Sequence, residues 1–178
     1  MKILVAPDPF LKRVAKEVLV YDKKLKDQIS AMIETLKQAQ DPEGVGLAAT
    51  QVGIDKRLII LHLHHKMEVI INPKITATSE AMLSQIYRKG KDRWLEGCLS
   101  LPRLWGFVDR PFWCEVTYLT PKGEKLVEKS HRFEGVESSY ALHEIDHLDG
   151  ILFTDRILEQ KGKILRETED GLVPVSIS

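Results

Sequence analysis

His143-Glu144-Ile145-Asp146-His147 has the form H-E-x-x-H. On a helix, two imidazoles four residues apart project from one side about one turn apart, so both can bind a single ion at about 2.1 Å. Glu144 follows the first of them, where its carboxylate can reach a water on that ion without being a ligand. A metal lowers the pKa of such a water toward about 7, and the carboxylate takes its proton as it attacks a carbonyl. Short patterns of this kind also arise by chance. What favours chemistry here is the amphipathic helix around it, which would bury both imidazoles beside its apolar face, where they need partners and a metal supplies one.

Two histidines leave a catalytic site one ligand short of the usual three plus water. The candidates for the third are Cys98, Cys114, the acidic side chains, and the cluster His62, His64 and His65. That cluster alternates at a strand end beside Lys66 and reads as a solvated edge. Cys114 follows Trp113 at the start of an apolar strand that includes Val116, and reads as a buried inert thiol. Cys98 stands in Glu96-Gly97-Cys98-Leu99-Ser100-Leu101-Pro102, where glycine permits close backbone approach and proline ends regular pairing. A further segment, Gly44-Val45-Gly46-Leu47-Ala48-Ala49-Thr50-Gln51, has glycines at alternate positions but lacks the Lys and Ser/Thr ending of a phosphate loop. On its own it reads as a packed turn with a strand.

The elements that must position these residues follow from pattern. Val136, Tyr140, Ile145 and Leu148 approximate one helical face from about Val136 to Leu148, and Asp149-Gly150 stops that helix. Upstream, an opening strand and a proline-bounded turn precede Asp22, which caps a helix running to about Gln40 with Leu25, Ile29, Met32, Ile33 and Leu36 on one face. Arg57 to Leu63 reads as a buried strand, and Glu68 to Ile71 as a second ended by Asn72-Pro73. Cys114 to Leu119 and Lys125 to Lys129 flank Thr120-Pro121-Lys122-Gly123, a hairpin turn signal. Strands therefore dominate the first two thirds, and the helix carrying the chemistry comes late. The pattern predicts an α+β domain in which antiparallel strands surround that helix.

Composition narrows the rest. The 178 residues carry 26 basic and 26 acidic side chains, a formal net charge of +0. That balance gives no footprint for stable nucleic-acid or anionic-membrane binding, which calls for a basic excess or stripe. A chain this long buries roughly 70% of the surface its unfolded form exposes, so it needs no structural metal. Two cysteines form no disulfide framework and suit a reducing compartment, and no apolar stretch approaches the roughly 20 residues that span a bilayer. The expectation is one domain over residues 1–178 in the cytoplasm, or the mature form of an organelle protein, with residues 158–178 a tail of helix and short strand near Leu172 to Val175.

Three segments in order, Gly44 to Gln51, Glu96 to Ser100 and His143 to His147, match G-x-G-x-A-A-x-Q, E-G-C-L-S and H-E-x-D-H. In these the chain resembles the peptide deformylases, and the likeness extends through Ile3 to Pro9, Asn72-Pro73, and Asp149 to Asp155. The resemblance implies removal of the N-formyl group from the starting methionine of nascent chains, with release of formate. It implies Cys98, His143 and His147 as ligands of one divalent ion, iron(II) in the cell, with zinc, nickel or cobalt also suited to a thiolate and two imidazoles. Glu144 would be the general base and then the acid. The Gln51 amide and the Leu99 backbone N–H would hold the developing oxyanion. Gly46 would offer backbone to the substrate, with Val45, Trp94, Val136 and Tyr140 lining the methionine pocket. Glu96 adjoins the ligand loop, and Arg110 aligns with a family arginine able to pair with Asp146 and orient the late helix. Leu142 stands where many members have glutamine, which removes a hydrogen-bonding group next to the first histidine. Any ribosome contact would be transient. Two rivals share parts of this pattern: a metallopeptidase cutting internal peptide bonds, and a binding protein whose metal is structural or absent.

Overall fold

The computed structural model describes residues 1–39, 44–87 and 94–175. Helix α1 (Lys23–Gln38) precedes strands β1 (Gly46–Ala48), β2 (Leu58–Leu63) and β3 (Lys66–Thr78). A single turn, α2 (Leu83–Ile86), leads to β4 (Glu96–Cys98), β5 (Leu101–Gly106), β6 (Trp113–Lys122) and β7 (Lys125–Glu134). Helices α3 (Val136–Leu148) and α4 (Phe153–Glu159) and strands β8 (Ile164–Thr168) and β9 (Gly171–Pro174) complete it. The strands form two antiparallel sheets, ordered β1-β2-β3-β6-β7 and β4-β5-β8-β9, so that β1 and β4 are edge strands.

The continuous apolar run of β2 is explained by burial on both faces. Ile59 and Leu61 pack with Ala141, Leu142, Ile145 and Leu148 of α3, while Leu58 and Ile60 pack with Leu25, Ile29, Met32 and Leu36 of α1. The α1 stripe is the expected one, except that Ile33 lies at its margin and is only partly buried. The Asp22 carboxylate accepts the Leu25 N–H at 2.8 Å, and the helix closes at Gln38, where Ala39 turns extended. Gln40 lies outside the described residues. A third cluster, around Leu101, Phe153, Ile157 and Ile164, packs α4 on the smaller sheet.

Four expectations are corrected. Residues 3–5 form no strand: they run extended between two site segments, the Leu4 N–H donating to the Gln51 carbonyl at 2.8 Å and the Ala6 N–H to Ser100 at 2.9 Å. The second strand does not stop at Asn72-Pro73. The chain absorbs the proline in a register shift, with Asn72 at φ 51°, and pairing resumes at Lys74. The β6–β7 hairpin turns at Gly123-Glu124 rather than at Thr120 to Gly123, with Gly123 at φ 61° and Lys122 opposite Lys125. Pro121 is tolerated because the pairing with β3 ends at Leu119, so no ladder needs its missing N–H. From Leu158 onward the short strand expected near Leu172 is present as β9, but the expected helix is not: α4 lies largely before Leu158, and the tail is mostly a β8–β9 hairpin added to the β4–β5 sheet. Among the described residues, no helix is long and apolar enough to cross a membrane.

Candidate active site

Helix α3 starts and stops where only particular backbone can follow. Gly135 sits at φ 57° and ψ −127°, and Gly150 at φ 71° brings the chain so close to Lys12 that a Cβ would lie 2.5 Å from its carbonyl oxygen. Between them the helix presents His143 and His147 on one side, ring centroids 5.0 Å apart and both buried. The β4 strand brings in Cys98, whose Sγ lies 3.2 Å from His147 Nε2. Each of Cys98, His143 and His147 offers a donor atom, all within 4.8 Å of one another, and among the described residues this is the one such group.

The surroundings fit a cation. Glu96 Oε2 lies 2.8 Å from His143 Nδ1. Burial alone would push the Glu96 carboxyl up, but the buried Arg110 guanidinium and the His143 hydrogen bond outweigh it and hold the pKa at about 2. An ionised Glu96 accepts the Nδ1–H hydrogen bond, so that Nε2 of His143 is the nitrogen that would bind an ion once its own proton is displaced. The two imidazoles are driven apart. Burial opposes protonation of both, yet contacts with Cys98 and Glu96 raise His143 well above the usual histidine range, while the His143 charge adds to burial in lowering His147. The pocket thus favours one positive charge rather than two. His147 Nδ1 and Glu144 Oε2 are buried with no hydrogen-bond partner, so polar capacity is left free in the site.

Glu144 follows His143 and faces β1. A Cβ at Gly46 would collide with the Glu144 side chain, so glycine lets the strand pass this carboxylate without displacing it. Burial raises the Glu144 pKa to about 7, with the His143 charge opposing. Gln51 is held by its own oxygen, which accepts the Ala48 N–H at 2.8 Å, while its amide nitrogen lies 3.2 Å from Ser100 Oγ and 3.6 Å from Cys98 Sγ. Leu99 lies at the turn after β4. A cavity of about 630 Å³ opens here, lined by Gln51, Glu144 and Leu99 together with Val45, Gly46, Trp94 and Tyr140. Trp94 meets Tyr140 edge to face at 5.5 Å.

Val136 does not line the cavity. It is the first residue of α3, two turns from His143 and a full turn beyond Tyr140, too far along the axis to reach the chamber. The histidine cluster stays apart from the donors: His64 and His65 make the β2–β3 turn at φ 47° and 62°, and His64 Nε2 pairs with Glu137 at 2.7 Å. Cys114 is a core thiol between α3 and the larger sheet, its pKa raised by burial.

The Arg110–Asp146 pair is a buried one, not a surface one. Arg110 is 5% exposed, and its Nη1 donates to Asp146 at 2.9 Å while Nε and Nη2 clamp Glu96. Arg156 adds a second clamp on Asp146, Nη2 to Oδ1 at 2.6 Å. The helix bearing both histidines is therefore tied to the β4 segment through charge. Sequence reasoning missed Ser139, whose hydroxyl donates to Glu96 at 2.8 Å. Its signal was available, since Ser139 lies four residues before His143 and so on the same helix face. It also explains the departure at Leu142. Glu96 already accepts two guanidinium bonds, one hydroxyl and one imidazole, which fills its carboxylate without a glutamine, and Leu142 is free to pack in the core. Thr50, donating to the His147 carbonyl at 3.0 Å, was missed as well.

A cysteine and two histidines converging beside a buried carboxylate, in an α+β fold, fit a metal-dependent hydrolase. The model of the polypeptide deformylase family matches residues 1–163. The chain is 40% identical over 169 residues to the peptide deformylase of Natranaerobius thermophilus, covering 94% of this chain and 96% of that one. It is 39% identical to peptide deformylase 1 of Clostridium acetobutylicum, covering 87% and 93%. Among solved structures, the Synechococcus elongatus peptide deformylase in complex with actinonin aligns with TM-score 0.76 and 35% identity, over 88% of this chain and 78% of that one. A Met-Ala-Ser-bound class I type b peptide deformylase from Acinetobacter baumannii aligns with TM-score 0.74 and 31% identity, over 88% and 98%. The chain belongs to the polypeptide deformylase family, metal-dependent hydrolases that remove the N-formyl group from nascent peptides.

Proposed function

We propose that Cys98, His143 and His147 hold the ion and that Glu144, Gln51 and Leu99 perform the chemistry around it. The observation that carries this is the convergence of the three donors within 4.8 Å, beside a buried carboxylate with a free oxygen. When bound, a divalent ion supplies Lewis-acid activation of water and of the formyl carbonyl, and iron(II) is the ion we assign in the cell, with zinc, nickel or cobalt accepted by the same donors.

Glu144 takes a proton from the attacking water as oxygen bonds to the formyl carbon. Charge then builds on the formyl oxygen, where the Gln51 side-chain amide and the Leu99 backbone N–H donate to it. The C–N bond breaks as Glu144 returns the proton to the departing amine, giving formate and a free methionyl terminus. The cavity lies between the edge strands β1 and β4, so an extended peptide can add its backbone there, with Gly46 contributing main-chain groups and Val45, Trp94 and Tyr140 bordering the methionine side chain. The peptide bound in the Acinetobacter relative suggests this substrate class for the present chain. Glu96, Arg110 and Asp146 fix the orientation of α3, which we take as the central helix of a single catalytic domain spanning residues 1–178. The balanced charge fits a cytoplasmic enzyme meeting emerging chain ends, with transient ribosome contact and no stable hold on nucleic acid or membrane.

The test is release of formate from formyl-Met-Ala-Ser, set against an N-blocked peptide that can only be cut internally. Formate release with the internal peptide intact is expected. Internal cleavage without formate would favour the metallopeptidase reading, and metal binding with neither reaction would favour a structural ion.

A further inference from the structure

The cavity extends well past the donors, and its far wall comes from the C-terminal hairpin. Glu167 and Thr168 of β8 and Leu172 of β9 line it, in the same chamber as Val45 and Gly46. The match to the family model ends at residue 163, one residue before β8 begins. Two contacts build this wall into the site. The Trp105 indole N–H donates to Glu167 Oε2 at 3.1 Å, and the same ring lies against Gly97, where a Cβ would stand 2.7 Å from it. Gly97 immediately precedes Cys98, so the hairpin holds Trp105 directly beside the donor loop. The volume leaves room for more than the formyl-methionyl group. A formyl-methionyl group has about ten heavy atoms, which are bonded to one another and so take less than about 30 Å³ each, the share of a free water in the liquid, or under about 300 Å³ in all. That leaves at least half of the 630 Å³ cavity for the rest of a peptide. Leu172 is 44% exposed, an apolar side chain with surface still to bury.

From this we infer that the β8–β9 hairpin is a substrate-selecting part of the enzyme. Its Leu172, with Trp105 held by Glu167, receives the apolar side chains that follow methionine. The inference rests on the site reading above. It assigns the hairpin to the peptide downstream of the formyl group and not to the chemical step, so its signature is dependence on substrate length and on downstream side chains, carried by KM.

The experiment compares the metal-loaded full-length enzyme with Leu172→Asp and Leu172→Ala on formyl-methionine amide and on formyl-Met-Leu-Leu. The quantity read is the ratio of kcat/KM for the longer substrate to that for the shorter. Burial of one leucine-sized surface on binding corresponds to roughly a tenfold preference. That ratio is expected to fall roughly tenfold in Leu172→Asp and several-fold in Leu172→Ala, through a rise in KM for the longer peptide. Circular dichroism and metal content matching the parent guard against misfolding, and the milder alanine variant keeps the test open if the aspartate does not fold. A ratio within threefold of the parent in both variants, or a loss carried by kcat, overturns the inference. Failure of the parent enzyme to release formate from either substrate would instead overturn the site reading itself.

Discussion

The two ends of the cavity are built differently. At the inner end, Glu96, Gln51, Glu144 and His147 are each at most 5% exposed, and the heteroatoms are tied into one network apart from His147 Nδ1 and Glu144 Oε2. At the outer end, Trp94 and Leu172 are 38% and 44% exposed, and the side-chain contacts there include an indole–carboxylate hydrogen bond and an edge-to-face ring contact on a backbone ladder of β5, β8 and β9. A buried polar network has one satisfied arrangement, whereas an exposed apolar rim can shift at little cost. The difference separates two tasks. Bond breaking sits where geometry is rigid, and recognition of variable peptides sits where it can adapt.

If that division holds, changes at the inner end should act on kcat and metal, and changes at the outer end on KM. The largest effect is expected for Glu144→Ala. Loss of the proton carrier should lower formate release by about 10³-fold, with metal content unchanged by elemental analysis. Parent-level turnover would remove Glu144 from the chemistry. Gln51→Ala should cost about 3 kcal/mol of transition-state stabilisation, roughly a hundredfold in kcat, read in the same assay. Glu96→Gln keeps the shape of the side chain but not its charge. It should weaken metal retention by about 10- to 100-fold in competition with a chelator, since His143 then lacks an anionic partner for Nδ1.

A separate effect, on stability rather than on turnover, appears in the metal-free chain. Burial pushes the Glu144 carboxyl up to about 7 from its ordinary 4.5 when folded, so the native state binds this proton more tightly than the unfolded chain does. Stability from this group is then lost as pH rises between those values, and Glu144→Gln removes the penalty. The variant should be more stable than the parent above pH 7, on the order of 3 kcal/mol at 1.4 kcal/mol per pKa unit, with the gap closing below pH 4.5. Urea unfolding at pH 8 and pH 4 measures it, and an unchanged gap across that range would sink it. The smallest effect contrasts a helix position at the rim with one beyond it: Tyr140→Ala should raise KM roughly tenfold on losing aromatic contact, and Val136→Ala should leave it nearly unchanged.

The same division decides what was legible in the sequence. The inner end consists of residues close together on single elements, so spacing exposes them: α3 spans Val136–Leu148 as its periodicity indicates, and Glu96 and Cys98 share one short strand. The Asp22 cap and the two-faced apolar run of β2 are local signals too. The outer end depends on which distant segments meet. Nothing near Trp105 signals that Glu167 will hold it, and Val136 fits the same helical stripe as Tyr140 while lying beyond the cavity. The corrected turn at Gly123-Glu124 has a similar origin, because both placements satisfy turn chemistry and the β6–β7 pairing chose one. Arg110 was legible as a partner of Asp146, but its burial, and with it the clamp on Glu96, came from packing.

The central claim is that Cys98, His143 and His147 together hold the ion on which formate release depends. Anaerobic metal analysis paired with formate release from formyl-Met-Ala-Ser, for the parent and for Cys98→Ser, tests it directly. The account predicts one ion per parent chain, and a parallel loss of metal and activity in the variant. Full metal content together with full activity in Cys98→Ser would contradict it.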